Sequence, residues 1–291
     1  MPVRYARRIV TLTGSNQMPR MSFRVLACAV LLAAGCLPAG AQVVPKVTDS
    51  GVAAPHSAIF IGNSFFYYNN SLHNHVSQLV KAANPAHKLR MTSVTISGSG
   101  ADWHDVDSYF RPHAIGMYSF DENNAVVFNK IDKLFDLAIM MDCSQCPIHP
   151  KLKSTFYEFS KRHSETVRRH GTQPVFFMSW AYADKPEMTA ELADAYTRAG
   201  NDNDAMVIPA GLAFAAALKQ RPGLVLHAAD KRHPSVAGTY LAAATVYAAL
   251  FKASPEGLKY TAGLDNDTAR LLQTVAWQTA QDYYAPKQAT K

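Results

Sequence analysis

At 291 residues the chain holds one large α/β domain or two small ones, and since no stretch in its middle reads as a linker, one domain is the simpler reading. The formal charge of +7 is carried largely by the leader, where Arg4, Arg7, Arg8, Arg20 and Arg24 meet no acidic residue before position 42. Beyond that point 24 basic side chains face 22 acidic ones, which excludes the charge footprint of a nucleic-acid binder.

The five arginines precede Val25 to Ala34, an apolar run too short to cross a bilayer, and then Ala39-Gly40-Ala41. A basic region, an apolar region and an Ala-x-Ala site predict a secretory signal peptide over residues 1–41, cleaved before Gln42. Met21 is an alternative start. Arg7-Arg8 fits a twin-arginine signal poorly, and Ala33-Ala34-Gly35-Cys36 offers lipid anchoring at Cys36 as the alternative fate. The mature chain, 42–291, is expected as a single secreted or periplasmic domain with no transmembrane segment.

Apolar runs at 57–62, 90–96, 136–141, 174–180 and 224–229 alternate with helical stretches at 71–83, 151–169, 188–199, 205–220, 235–252 and 266–284. Such alternation predicts right-handed crossovers and a three-layer α/β/α sandwich around a mostly parallel five-stranded sheet. The first run ends in Gly62-Asn63-Ser64, which puts Ser64 at the carboxyl edge of the sheet, where open α/β folds bind ligands. Taken alone, Ser64 reads more readily as a helix N-cap than as a nucleophile.

After the second run comes Thr95-Ile96-Ser97-Gly98-Ser99-Gly100, then an irregular segment from Trp103 to Phe135 that suits a lid or substrate wall. Within it Asp105 and Asp107 invite a glycosidase reading, but no partner carboxylate can be assigned. The third run leads into Asp142-Cys143-Ser144-Gln145-Cys146-Pro147. With Cys28 and Cys36 lost in the leader, Cys143 and Cys146 can close on each other in an oxidising compartment and stiffen this loop. Zinc would need two further ligands that the spacing does not offer.

The fourth run ends in Ser179-Trp180-Ala181-Tyr182. Trp180 and Tyr182, with Trp103 and His104, offer an aromatic platform for a sugar ring, set against the plainer reading of core packing. Asn201 to Asp204 reads as a helix-capping turn rather than half a calcium loop. The fifth run leads into Asp230-Lys231-Arg232-His233-Pro234. A carboxylate three residues before a histidine can accept its Nδ1 proton and leave Nε2 free to take the proton of Ser64.

With Gly-Asn-Ser at one end and Asp-x-x-His-Pro at the other, the chain resembles the SGNH hydrolases, the GDSL-like esterase superfamily, over residues 57 to 252. Asn63 stands where the family name has Asp, as in a Gly-Asn-Ser subgroup. The resemblance implies a flavodoxin-like strand order and a catalytic Ser64, Asp230 and His233. It also implies an oxyanion hole built from the Ser64 N–H, Gly98 (or Gly100) and the Gln145 side-chain amide, the last by likeness to a Gln-Ser-Gln-x-Pro subgroup. No metal or organic cofactor is implied. The implied substrates are small-molecule or polysaccharide esters, such as O-acetyl groups on carbohydrate. Two alternatives stand beside this: a non-catalytic glycan-binding protein on the same fold, and a thiol–disulfide protein using Cys143 and Cys146.

Overall fold

Ser57–Gly62 form β1, and all six residues are buried because the strand is covered on both faces. Burying each of its large apolar side chains, Ile59, Phe60 and Ile61, contributes roughly 1.5–3 kcal/mol. The computed structural model describes residues 43–285 except 112–113, 116–117, 129–130 and 132. The signal-peptide, cleavage and Cys36 expectations therefore lie outside the described residues.

In chain order β1 is followed by α1 (Ser64–Tyr67), α2 (Leu72–Ala83) and β2 (Arg90–Thr95). Two 3₁₀ turns, Ala101–Trp103 and Val106–Phe110, lead to a hairpin of β3 (Tyr118–Phe120) and β4 (Val126–Phe128). The chain then forms β5 (Leu137–Met140), α3 (Lys153–Arg169), β6 (Gln173–Phe177), α4 (Met188–Asp202), β7 (Met206–Ile208), α5 (Ala210–Gln220), α6 (Val236–Phe251) and α7 (Asn266–Tyr284).

The main sheet has the order β2-β1-β5-β6-β7, and every pairing is parallel. This is the flavodoxin-like order, with its switch point between β1 and β5. From β1 the chain crosses outward to β2, whereas β5, β6 and β7 step in the opposite direction. Right-handed crossovers therefore put α2 on one face and α3 and α4 on the other. The helices α5, α6 and α7 join α2, packing closely against one another. Surrounded in this way, α6 is buried almost throughout from Gly238 to Leu250, which is why its sequence lacks a polar stripe.

The fifth strand is a correction to the sequence reading. It is the short buried Met206–Ile208, which lies within the stretch 205–220 that the sequence predicts as helix. The run 224–229 forms no strand, only an isolated bridge between His227 and Pro234. Among the described residues no helix is long and apolar enough to cross a membrane.

Candidate active site

The parallel register aligns the carboxyl ends of β1, β2, β5 and β6 along one edge, and the chemistry-bearing loops leave from there. At the end of β1, Asn63 caps α1 by accepting the Phe65 N–H at 3.2 Å. Ser64 is thus the first helical residue and not the cap, and its hydroxyl is left for other work. Asn63 also ties the neighbouring loops together, its Nδ2 donating to Ser99 O at 3.0 Å and Asp142 O at 3.2 Å. Beneath it, Gly62 O accepts from the Ile96 N–H at 3.0 Å, His104 Nε2 at 3.0 Å and Ser99 Oγ at 3.3 Å.

His104 is therefore a prop under the turn rather than part of a substrate platform, a second correction. A carbonyl only accepts, so His104 Nε2 carries the proton and Nδ1 accepts from Tyr109 Oη at 2.9 Å. Burial lowers its pKa to about 4 and keeps it neutral.

His233 Nε2 lies 2.8 Å from Ser64 Oγ, and its Nδ1 is paired with Asp230 Oδ2. Asp230 Oδ1 accepts the N–H groups of Arg232 and His233, each at 3.0 Å. The bond to His233, reinforced by the Arg232 N–H, lowers the Asp230 pKa to about 2, so the carboxylate stays charged. With a carboxylate on Nδ1, the imidazole donates there and accepts the serine proton at Nε2. The Tyr68 ring lies flat on the imidazole at 4.2 Å and 5°, while Phe65 meets its edge at 5.7 Å. Neither contact was foreseen from sequence.

Two clamps hold this pair together. Trp180, fully buried, is stacked between Phe65 at 4.6 Å and Phe214 at 4.2 Å, and its Nε1 donates to Arg232 O at 3.0 Å. The expected platform role for Trp180 is thereby corrected: its ring packs inside and anchors the histidine loop. Tyr182 is also buried, its hydroxyl 2.7 Å from Ser144 Oγ and its ring covered by the Arg232 guanidinium at 5.1 Å. Of the four platform residues only Trp103 is exposed, at 61 %.

The second clamp begins at Asn69. Its Nδ2 donates to Pro234 O and Thr239 Oγ1, both at 2.8 Å, joining the exit of α1 to the residue after His233. Asn69, Asn70 and Ser71 all have positive φ (51°, 68° and 64°), a left-handed run that Asn tolerates better than most residues. Asn69 O accepts from His75 Nε2 at 2.6 Å, His75 Nδ1 accepts from Tyr260 Oη at 2.8 Å, and Tyr240 Oη donates to Tyr260 O at 2.7 Å.

On the oxyanion side the candidates separate. Gly98 (φ +71°) sits at an exposed turn closed by the Ser99 N–H to Ile96 O at 3.2 Å. Gly100 is buried, and a Cβ there would stand 2.5 Å from Asp102 Oδ1 and 3.1 Å from Asp142 Oδ1. Its neighbours are fixed, Ser99 O by Asn63 and the Ala101 N–H by Asp142 Oδ1 at 2.9 Å. The N–H groups of Ser64 and Gly100 donate to no described residue. Gln145 is exposed, and its amide makes no hydrogen bond among the described residues.

Asp142, at the end of β5, is the residue that sequence reasoning passed over. Its Oδ1 accepts the N–H groups of Ala101 and Cys143, and burial raises its pKa to about 6. Cys143 and Cys146 are bonded to each other, so although they lie with Asp142 in a cluster 4.8 Å across, they offer no thiolate to a metal.

No protein-family model and no curated protein matches the chain. Among solved structures, a DUF4886 family protein from Bacteroides uniformis superposes with a TM-score of 0.55 at 19 % identity, covering 80 % of this chain and 98 % of that one. A putative SGNH hydrolase from Slackia heliotrinireducens gives 0.47 at 20 % identity, covering 66 % and 97 %. An acetyl xylan esterase from Geobacillus stearothermophilus gives 0.48 at 14 % identity, covering 72 % and 98 %. At this identity the likeness to the DUF4886 protein is one of fold.

Proposed function

We propose that the chain is an exported serine esterase of the SGNH hydrolase superfamily, acting on small acyl esters such as O-acetyl groups on carbohydrate. The observation that carries the reading is the unbroken line from Asp230 through His233 to Ser64 Oγ, made across 169 sequence positions. Ester cleavage needs a hydroxyl whose proton can leave as the oxygen attacks, and this line provides it.

Ser64 Oγ attacks the ester carbonyl while its proton passes to His233 Nε2. Asp230, ionised under all ordinary conditions, stabilises the imidazolium and fixes its tautomer. The negative charge on the former carbonyl oxygen is met by the N–H groups of Ser64 and Gly100, each worth roughly 3 kcal/mol in such a hole. We choose Gly100 over Gly98 because it is buried, and over the Gln145 amide because its flanking groups are already locked. Collapse expels the alcohol, which takes the proton back from His233. Water then repeats the sequence and releases the acid.

Hydrolysis of p-nitrophenyl acetate tests the reading. Wild-type protein should turn it over, and Ser64→Ala should abolish turnover above background. Equal rates would remove the esterase and leave a glycan-binding protein on the same fold.

A further inference from the structure

A depression opens between the 3₁₀ turns and α3. It is a cleft of about 340 Å³, and its walls include Asp102, Trp103, Asp105, Arg162 and Arg169. Trp103 presents its ring to solvent and stacks on no other described aromatic side chain. An indole in water among hydrogen-bonding groups offers a flat apolar face in polar surroundings, the combination that suits a sugar ring.

The charges around the cleft balance. Asp105 pairs with Arg111 at 3.5 Å, and Asp107 with His170 at 3.1 Å and Arg169 at 3.8 Å. Asp102 and Arg162 form no ion pair among the described residues, and Arg162 lies over the Phe159 ring at 5.4 Å. A polar cleft of this kind disfavours an acyl chain, and its lack of excess charge disfavours a polyanion. A neutral polyhydroxylated ring satisfies both conditions.

The cleft also adjoins the proposed chemistry. The Trp103 N–H donates to Gly100 O at 3.3 Å, and His163 Nε2 donates to Ala101 O at 2.8 Å, fastening this turn to α3. Asp102 leans back over Gly100, its Oδ1 occupying the space a Cβ would need. One wall of the cleft is thus the loop that carries the proposed oxyanion donor.

Resting on the esterase reading, we propose that this cleft is a subsite for a neutral sugar unit next to the esterified one. The Trp103 ring lies against the C–H face of the sugar, and Asp102 and Arg162 bond to its hydroxyl groups. The substrate is then an acylated neutral polysaccharide or oligosaccharide rather than a free small ester.

The experiment measures calorimetric binding of partially O-acetylated xylo-oligosaccharides to Ser64→Ala protein, which holds them without turnover. Adding Trp103→Ala should weaken binding about tenfold, and Trp103→Phe should restore part of it. Trp103 is exposed, so neither change threatens folding. Unaltered affinity in Trp103→Ala, or tighter binding of oligogalacturonides than of the neutral sugars, overturns the proposal. Failure of the esterase reading shows elsewhere, as no p-nitrophenyl acetate turnover by the wild type, and does not alter the binding comparison.

Discussion

The indole nitrogen of Trp180 donates to the carbonyl oxygen of Arg232 at 3.0 Å, while the same ring lies flat against Phe65, the residue after Ser64. One buried side chain therefore touches the chain neighbours of both members of the proposed catalytic pair. Trp180→Phe keeps an aromatic ring between Phe65 and Phe214 but removes the N–H together with part of the buried indole. Losing one such bond costs about 1 kcal/mol, so kcat for ester hydrolysis should fall roughly fivefold with KM little changed. The melting temperature should drop by more than the roughly 2–4 °C that the lost bond alone costs, since the smaller ring also leaves space in the core. Trp180→Ala, by contrast, should lose about 3–5 kcal/mol of stability.

Asn69 works from the other side, through Pro234 O and Thr239 Oγ1. Asn69→Gly keeps the left-handed backbone and deletes the amide, so it separates the clamp from the conformation. Two net hydrogen bonds are worth about 2 kcal/mol, which sets a fall in kcat of up to about thirtyfold. Steady-state kinetics with unchanged kcat would show that the histidine loop holds itself.

Asp230→Asn should reduce kcat on the order of 10⁴-fold, because an amide does not hold the imidazole in the required tautomer or balance its charge. The depressed pKa of Asp230 gives a stability contribution that is present above about pH 4 and lost as pH falls through about 2. In chemical denaturation, wild type should lose stability relative to Asp230→Asn across that window. A constant difference between the two would contradict the assigned ion pair.

For Asp142 the sign is reversed. Its folded pKa is raised to about 6, so the stabilising neutral form is complete below about pH 4 and is lost as pH rises through about 6. Asp142→Asn keeps an acceptor for the Ala101 and Cys143 N–H groups and removes the charge. Between pH 4 and pH 7 the variant should gain on the order of 2–3 kcal/mol relative to wild type in denaturant titrations. Parallel pH profiles would place the ionised carboxylate at no penalty.

The meeting of Ser64, His233 and Asp230 was legible in the sequence because both of its parts are local. A short strand ending in Gly-Asn-Ser and an Asp three residues before a His each carry their geometry within a few residues. The long helices were equally plain: α7 runs Asn266–Tyr284, as its spacing predicts. Met206–Ile208 was hidden because three buried residues between helices show no period of their own. The run 224–229 misled because a loop that closes over the core is also apolar, and Leu226 is buried there.

Side-chain roles fixed by distant partners were the least visible. Trp180 and Tyr182 stand at the end of a strand, where the sequence does not say whether a ring turns outward or inward. Their partners, Phe65, Phe214 and Ser144, come from three other segments. The one clue to the second clamp was the polar triplet Asn69-Asn70-Ser71 directly after a short helix, the residue types that accept left-handed backbone.

Because hydroxyl and imidazole stand 169 positions apart, no amino-terminal fragment that stops short of His233 contains both. A growing or threading polypeptide is chemically silent until its final third has emerged and α6 has docked. If the protein is exported as proposed, that order of assembly protects the producing cell: hydrolytic power arises only at the destination, where the whole chain is free to fold.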